Sequence, residues 1–143
     1  MKKVDNQALV IFGASGDLTY RKLIPSVFDL YINDSLPEGY AILGVGRTNF
    51  SDKDFRIKMK QGIVEFSNLK GIDSKQIDDF ISKLFYVSID TKKSDDYSLV
   101  KARLKELNTK FNLNNNYIFY LSTPPELYSI IPKYLYGQGL TLQ

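Results

Sequence analysis

Apolar and polar residues alternate in blocks along this chain, and the block lengths are those of strands and helices. Short apolar runs bounded by turn residues indicate buried strands, and apolar residues that recur every three or four positions indicate amphipathic helices. The predicted strands span residues 7–12, 40–45, 84–89 and 117–121. The predicted helices span residues 18–33, 74–83 and 95–111, with another opened by Ser51 and a last one opened by Pro124 and Pro125.

Local signals refine two of these helices. Ser51 followed by Asp54 is typical of a capping box and predicts a helix start, and residues 68–71 are expected to break the helix that Ser51 opens. Pro25 lies inside the first predicted helix, where proline becomes costly beyond the first turn. We therefore expect either an irregular opening turn or a kink near Ile24.

Strands that alternate with helices predict parallel βαβ units with right-handed crossovers and helices on both faces of the sheet. The expected fold is α/β: a Rossmann-like, doubly wound parallel sheet in three layers, with strand order 3-2-1-4. Ligands of such sheets bind at the carboxyl ends of the strands, where the strand order reverses. Three segments should therefore converge there: residues 13–19, 44–48 and 122–128.

The first of these segments is a glycine turn that leads from an apolar strand into a helix. Gly13, Gly16 and Thr19 fit a GxxGxx(small) variant, not the strict GxGxxG spacing. Such a turn lets backbone N–H groups and the positive end of the helix dipole approach a pyrophosphate. A plain strand–helix connection without a ligand would show the same spacing.

The tip of strand two bears on which nucleotide would bind. Sheets that bind NAD usually carry an acidic residue there for the ribose hydroxyls. Here Arg47 and Thr48 follow the strand, and the next carboxylate is Asp52. Arg47 offers a planar fork for the 2′-phosphate of NADP, and Thr48 offers a hydroxyl. The alternative is that Arg47 is a solvated loop cation.

Other polar side chains surround the glycine turn. Ser15 is a candidate donor to a cofactor phosphate, and Lys22 is a candidate contact for an anion. A carboxylate at Asp17 would repel a pyrophosphate, so we expect it to turn away and cap the first helix. Arg21 is expected at the surface.

Composition narrows the possible functions. The 143 residues fit about one domain, and a net charge of +3 with scattered lysines gives no indication of nucleic-acid binding. The sequence has no Cys and no His, so thiolate chemistry, a His-based zinc site and a His general base are excluded within it. We expect no metal site and no membrane-spanning segment. We expect a cytoplasmic location. The charged side of the helix at 95–111, which includes Arg103, is expected to be a solvated face.

Three stretches together resemble a known family. They are the run Gly-Ala-Ser-Gly-Asp-Leu-Thr-x-Arg-Lys-Leu-x-Pro that begins at Gly13, the pair Gly46-Arg47, and the run Phe-Tyr-Leu-Ser-Thr-Pro-Pro-Glu-Leu-Tyr that ends at Tyr128. The first resembles the N-terminal signature of the glucose-6-phosphate dehydrogenases almost position by position. The resemblance spans essentially the whole chain.

The resemblance implies a domain, residues 1–143, that binds NADP, with NAD possible but weaker. It implies that the glycine turn binds the pyrophosphate, that Arg47 reads the 2′-phosphate, and that the segment after strand four lies on the nicotinamide side. The implied cofactor-binding residues are Gly13, Ala14, Ser15, Gly16, Asp17, Leu18, Thr19, Lys22, Arg47, Thr48, Ser122, Thr123, Pro124, Pro125 and Tyr128.

The family's enzymes oxidise glucose 6-phosphate to a phosphogluconolactone, the entry step of the pentose phosphate pathway. A substrate-binding Lys in a Glu-Lys-Pro motif and a His base in an Asp-His motif belong to that pattern, and neither motif occurs in this sequence. We therefore expect a truncated chain without the C-terminal catalytic and dimerisation domain. It would lack the last strands of the sheet and any catalytic residue, and would be inactive alone, whereas the full-length enzyme would be a homo-oligomer. The alternative is a stand-alone NADP-binding or sensing module.

Overall fold

The computed structural model describes residues 5–68 and 71–141. Its centre is a four-stranded sheet in which every paired strand is parallel, in the order β3-β2-β1-β4. The predicted α/β class and the predicted strand order are both confirmed. The strands are β1 (Gln7–Phe12), β2 (Tyr40–Gly46), β3 (Leu84–Ser88) and β4 (Tyr117–Leu121).

Helices connect consecutive strands and cover both faces of the sheet, which confirms the three-layer arrangement. They are α1 (Ile24–Ile32), α2 (Asp52–Phe66), α3 (Ser74–Ile81), α4 (Tyr97–Phe111) and α5 (Ile130–Gly137). The last predicted helix is in fact two pieces. A 3₁₀ turn, Pro125–Leu127, precedes α5 because proline at the opening favours one tight turn without fixing the direction of the next one.

The first helix opens with a π-helical turn, Thr19–Leu23, before it becomes α1. The N–H of Ile24 donates to the carbonyl of Thr19, five residues back, instead of four. Pro25 follows directly, and the widened turn removes the conflict between the proline ring and the carbonyl of the preceding turn. The irregular opening expected from Pro25 is confirmed in this form.

Two apolar layers hold the sheet. On one face, side chains of β1, β2 and β3 pack against α4 and α5, with Tyr97 and Leu104 fully buried. On the other face they pack against α1, α2 and α3, with Phe28, Phe55 and Phe80 fully buried. Burial of this apolar surface on both faces fixes the positions of the strand ends, which carry the site.

Side-chain caps fix the starts of two helices. Ser51 accepts from the N–H of Asp54 at 3.0 Å and the Asp54 carboxylate accepts from the N–H of Ser51, which confirms the predicted capping box. Asp73 and Gln76 form a second one at the start of α3. The predicted break at residues 68–71 includes residues 69 and 70, which lie outside the described residues. Within the described ranges, no helix has the length and apolar character needed to cross a membrane.

Candidate functional site

The turn after β1 packs directly on the segment after β4. Gly13 has a φ of +84°, and a Cβ at this position would overlap the backbone carbonyl of Ser122. The N–H of Ser122 donates to the carbonyl of Phe12 at 2.8 Å, which continues the pairing of the two strands up to the turn. Glycine is therefore required here by both the backbone angle and the available space.

Part of the backbone of this turn is used to close the turn itself. The N–H groups of Gly13 and Ala14 both donate to the carbonyl of Val45, at 2.9 and 3.1 Å, and the N–H of Gly16 donates to Gly13 at 3.0 Å. Three of the N–H groups in the predicted pyrophosphate loop are therefore engaged within the protein. They hold the loop rigidly against the end of β2.

The remaining N–H groups of the loop have no acceptor among the described residues. Those of Ser15, Asp17 and Leu18 make no hydrogen bond with the residues that the structure describes. They lie at the start of the first helix, where unpaired N–H groups and the helix dipole together favour an anion. The loop can therefore offer an anion three donors that it does not use for its own structure.

Thr19 and Asp17 both make contacts within the protein that the sequence did not predict. Thr19 is fully buried, and its hydroxyl lies 3.4 Å from the carbonyl of Gly13, so it closes the turn from inside. Asp17 does not cap the helix, and that prediction was wrong. Its carboxylate instead accepts from Arg21 Nε at 2.9 Å, one helical turn away. Arg21 is exposed, as expected.

The tip of β2 carries a cation and no available carboxylate. Arg47 and Thr48 are exposed, and Arg47 makes no ion pair with a described residue. Asp52, the nearest acidic residue along the chain, accepts from the N–H of Tyr86 at 2.8 Å and from Arg103 at 2.8 and 2.9 Å. A ribose-binding role for Asp52 would therefore compete with three existing hydrogen bonds.

That ion pair corrects the prediction for α4. Arg103 does not lie on a solvated face: its side chain is about one quarter exposed and its guanidinium lies over the Phe85 ring, 5.6 Å from the centroid. Its partner Asp52 is 51 positions away in the sequence, so helical periodicity alone could not predict this ion pair.

Tyr86 joins the loop after β1 to the loop after β2. Its hydroxyl donates to the carbonyl of Thr48 at 2.7 Å, and the Ser15 hydroxyl lies close to it beside Gly46. Burial raises the pKa of this phenol, and the nearby Ser15 side chain opposes part of that rise. A Cβ on Gly46 would stand 2.7 Å from the Tyr86 hydroxyl and 2.9 Å from Ser15 Oγ. Ser15 and the Arg47-Thr48 pair are therefore neighbours, as the topology predicted.

Sequence reasoning missed Tyr86. It sits on β3, the strand farthest from the glycine turn, and nothing in its local sequence distinguishes it from a core tyrosine. The available signal was Gly46, because a second glycine in the β2 tip indicates a close approach by another group.

The segment after β4 supplies an unpaired polar atom. Thr123 Oγ1 is buried and has no hydrogen-bond partner among the described residues, which is unusual for a buried hydroxyl. Pro124 and Pro125 open the 3₁₀ turn, and Tyr128 beyond them is half exposed. Lys22 is exposed on the π-helical turn. Neither Lys22 nor Tyr128 has a side-chain hydrogen bond or ion pair with the described residues, so the structure shows no polar contact between either side chain and the loop.

A dinucleotide fits the groups that remain free at this edge. The loop offers unpaired N–H donors for a pyrophosphate, the β2 tip offers a guanidinium for a further anionic group, and Thr123 offers a buried hydroxyl without a partner among the described residues. All three lie at the carboxyl ends of β1, β2 and β4, where the strand order reverses.

Comparison with known proteins identifies the family of this chain. Residues 10–143 match the family described as "Glucose-6-phosphate dehydrogenase, NAD binding domain". The chain is 45% identical over 138 residues to the glucose-6-phosphate 1-dehydrogenase of Aggregatibacter actinomycetemcomitans, which covers 96% of this chain and 27% of that relative. It is 38% identical over 133 residues to the Bacillus subtilis enzyme, covering 93% of this chain and 26% of that relative.

A solved structure agrees with these relatives. A glucose-6-phosphate dehydrogenase in complex with its substrate glucose 6-phosphate superposes with a TM-score of 0.81 at 27% identity. The match covers 94% of this chain and 28% of that protein, so the chain spans about a quarter of the length of the relatives it matches. The glycine turn, the parallel sheet and the match over residues 10–143 together mean that this chain belongs to the NAD-binding domains of the glucose-6-phosphate dehydrogenase family.

Proposed function

We propose that this chain is the NADP-binding part of a glucose-6-phosphate 1-dehydrogenase. The complete protein would oxidise glucose 6-phosphate to 6-phosphogluconolactone, the entry reaction of the pentose phosphate pathway. The substrate-binding Lys, the His base and the contacts of a homo-oligomer would belong to sequence outside these 143 residues, which contain no His. A cytoplasmic location remains part of this proposal.

The choice of NADP rests on one observation: Arg47 has no ionic partner among the described residues, whereas Asp52 is fully engaged. In a site for NAD, a carboxylate at the β2 tip would accept from the ribose hydroxyls. Here that place holds a guanidinium without an ionic partner among the described residues, and Asp52 is bound by Tyr86 and Arg103. A free guanidinium favours a phosphate and gives the ribose diol of NAD no acceptor.

The other predicted residues take roles that follow from their positions. The free N–H groups of Ser15, Asp17 and Leu18 would bind the pyrophosphate, and Thr123 would face the nicotinamide end. The remaining predicted contacts, which stay proposals, are Gly13, Ala14, Gly16, Thr19, Lys22, Thr48, Ser122, Pro124, Pro125 and Tyr128. When bound, the nicotinamide supplies the hydride acceptor of the reaction.

Calorimetric titration with NADP and NAD tests the proposal. Arg47→Ala should weaken NADP binding by about ten- to a hundredfold, because a charge-assisted contact to the 2′-phosphate contributes about 1.5–3 kcal/mol. NAD binding should change less than about twofold. Arg21→Ala is the control, since Arg21 is an exposed cation nearby that is already paired with Asp17. Equal loss for both nucleotides would refute the role of Arg47.

A second measurement separates binding from catalysis. The purified chain, mixed with NADP and glucose 6-phosphate, should form no NADPH, because it has no His to remove the sugar's hydroxyl proton. Turnover by the chain alone would show that the base lies within these residues and would overturn the assignment of catalysis to other parts of the protein.

A further inference from the structure

Lys58, on α2, places an ammonium group within hydrogen-bond distance of the glycine turn. Its Nζ lies 3.4 Å from the carbonyl oxygen of Ser15. Ser15 is the residue whose side chain, like the Tyr86 hydroxyl, lies beside Gly46 at the β2 tip. The lysine therefore contacts the glycine turn from α2, close to the junction of the two loops.

Two aromatic rings hold this ammonium in place. Nζ lies 5.6 Å from the centroid of the Tyr20 ring and 5.5 Å from that of the Phe50 ring. Cation–π contacts at these distances restrict the long side chain while they leave its charge in place.

The charge of Lys58 is not neutralised by a described carboxylate. No Asp or Glu oxygen of the described ranges lies within 4.0 Å of its Nζ. Asp54 lies one helical turn before Lys58, but its carboxylate accepts from the N–H of Ser51 at the start of α2. An ammonium has three donors, and the bond to Ser15 uses one of them.

An open cavity of about 520 Å³ lies beside this ammonium. Its wall includes Asn49 and Phe50, which directly follow Arg47 and Thr48, together with Lys58 and Gln61 from α2. The cavity thus reaches from the two residues that follow Arg47 and Thr48 to the side chain of Lys58.

We propose that Lys58 is a second specificity-determining cation for the 2′-phosphate of NADP, acting from the α2 side of the site while Arg47 acts from the β2 tip. This inference rests on the proposed NADP-binding function. Two cations on different elements would bracket a dianionic phosphate next to Ser15. NAD has only ribose hydroxyls at that place, so it would leave both cations without an anionic partner.

Matched nucleotides test this inference. NADP and NAD differ only by the 2′-phosphate, and so do 2′,5′-ADP and 5′-AMP. Lys58→Gln should weaken NADP and 2′,5′-ADP binding by about tenfold and leave NAD and 5′-AMP within about twofold. Lys58→Arg should restore most of the NADP affinity, because a guanidinium also stacks on aromatic rings. Lys53→Gln, an exposed lysine of the same helix, is the control and should change nothing.

The outcomes separate this inference from the proposed function. Equal weakening of both nucleotides of a pair by Lys58→Gln would assign Lys58 to the pyrophosphate or to the shape of the loop, and would overturn the inference alone. Unchanged NADP binding would do the same. Failure of the unmodified chain to bind NADP would overturn the proposed function and this inference with it. A thermal melt of each variant checks that the fold is intact, and Lys58→Arg replaces Lys58→Gln as the informative variant if the latter unfolds.

Discussion

The two edges of the sheet are built in opposite ways. At the β3 edge, side chains of α2 occupy the outward-facing backbone groups: Asp52 accepts from the N–H of Tyr86 at 2.8 Å, and Arg56 Nε donates to the carbonyl of Leu84 at 2.7 Å. Arg103 then pairs with Asp52 from α4. The edge strand is covered by polar contacts from helices on both faces.

The β4 edge has no comparable cover among the described residues. The N–H of Ala8 donates to the carbonyl of Asn116, and the N–H of Ser122 donates to the carbonyl of Phe12. Residues of β4 face β1 alternately, so the backbone groups of Tyr117, Phe119 and Leu121 face away from it. These groups make no backbone hydrogen bond with the residues that the structure describes. On one face of β4, Ile118 and Tyr120 are about half exposed.

This difference in hydrogen bonding determines which edge of the sheet can accept a further strand. A strand added beside β3 would have to displace Asp52 and Arg56, whereas a strand beside β4 would meet backbone donors and acceptors that no described residue occupies. An apolar cavity of about 140 Å³ next to Ile118, lined also by Leu9, Val27 and Leu30, extends the uncovered surface over the neighbouring sheet face. The two edges should therefore respond differently to substitution.

The largest effect is expected where β4 is fastened to the sheet. Gly13→Ala should destabilise the chain by about 3 kcal/mol, since it combines a strained positive φ with overlap on the backbone of Ser122. Gly139→Ala is the control, because Gly139 also has a positive φ but no atom within 4 Å of an added Cβ. Urea denaturation of both variants measures the difference, and equal losses would mean that the contact with Ser122 does not hold β4.

At the closed edge, Asp52→Ala should cost about 2 kcal/mol. It leaves the Tyr86 N–H and the partly buried Arg103 guanidinium without their shared acceptor, and groups that lose a charged partner carry the desolvation cost. Asp78→Ala removes an exposed carboxylate paired with Lys60 and should cost less than about 1 kcal/mol. If urea denaturation gives the same loss for both, Asp52 does not protect the edge.

The smallest effect on stability is expected at the open edge, with a larger effect on association. Tyr120→Lys should change the free energy of unfolding by less than about 0.5 kcal/mol, since Tyr120 is already exposed. It should suppress concentration-dependent association of the chain, because a lysine disfavours edge-to-edge pairing. Leu99→Lys, at an equally exposed apolar residue on α4, should leave association unchanged. Sedimentation velocity over a range of concentrations checks both, and equal suppression by the two variants would contradict an edge-specific effect.

The sequence predicted those features that depend on local pattern. Periodicity located the strands to within a residue or so and the topology that they form, and the Ser51–Asp54 pair predicted a cap that the structure contains. It could not predict the partner of Arg103, because Asp52 lies 51 positions away. Nor could it identify Tyr86, because its function as a brace between two loops depends on residues some forty to seventy positions away. The pairing of Asp17 with Arg21 was within reach of the sequence, since the two residues are four positions apart on one helix.

The candidate site divides in the same way. The glycine turn and Arg47 can be recognised from spacing and from the absence of a carboxylate directly after the β2 tip. Lys58 cannot, because its bond to Ser15 spans 43 positions and its aromatic contacts join three separate segments. Only the folded chain shows that an ordinary helical lysine faces the loop.

The π-helical turn has a consequence for the phase of the first helix. Thr19 and Phe28 are nine positions apart, which in a regular α-helix is about two and a half turns and would put them on opposite sides. Both are fully buried here, as is Ile24 between them. The π-helical turn contains one residue more than an α-helical turn. This extra residue shifts the helix so that Thr19 and Phe28 both face the interior. One side of this helix can therefore serve two purposes: Thr19 closes the glycine turn, and Phe28 packs in the core.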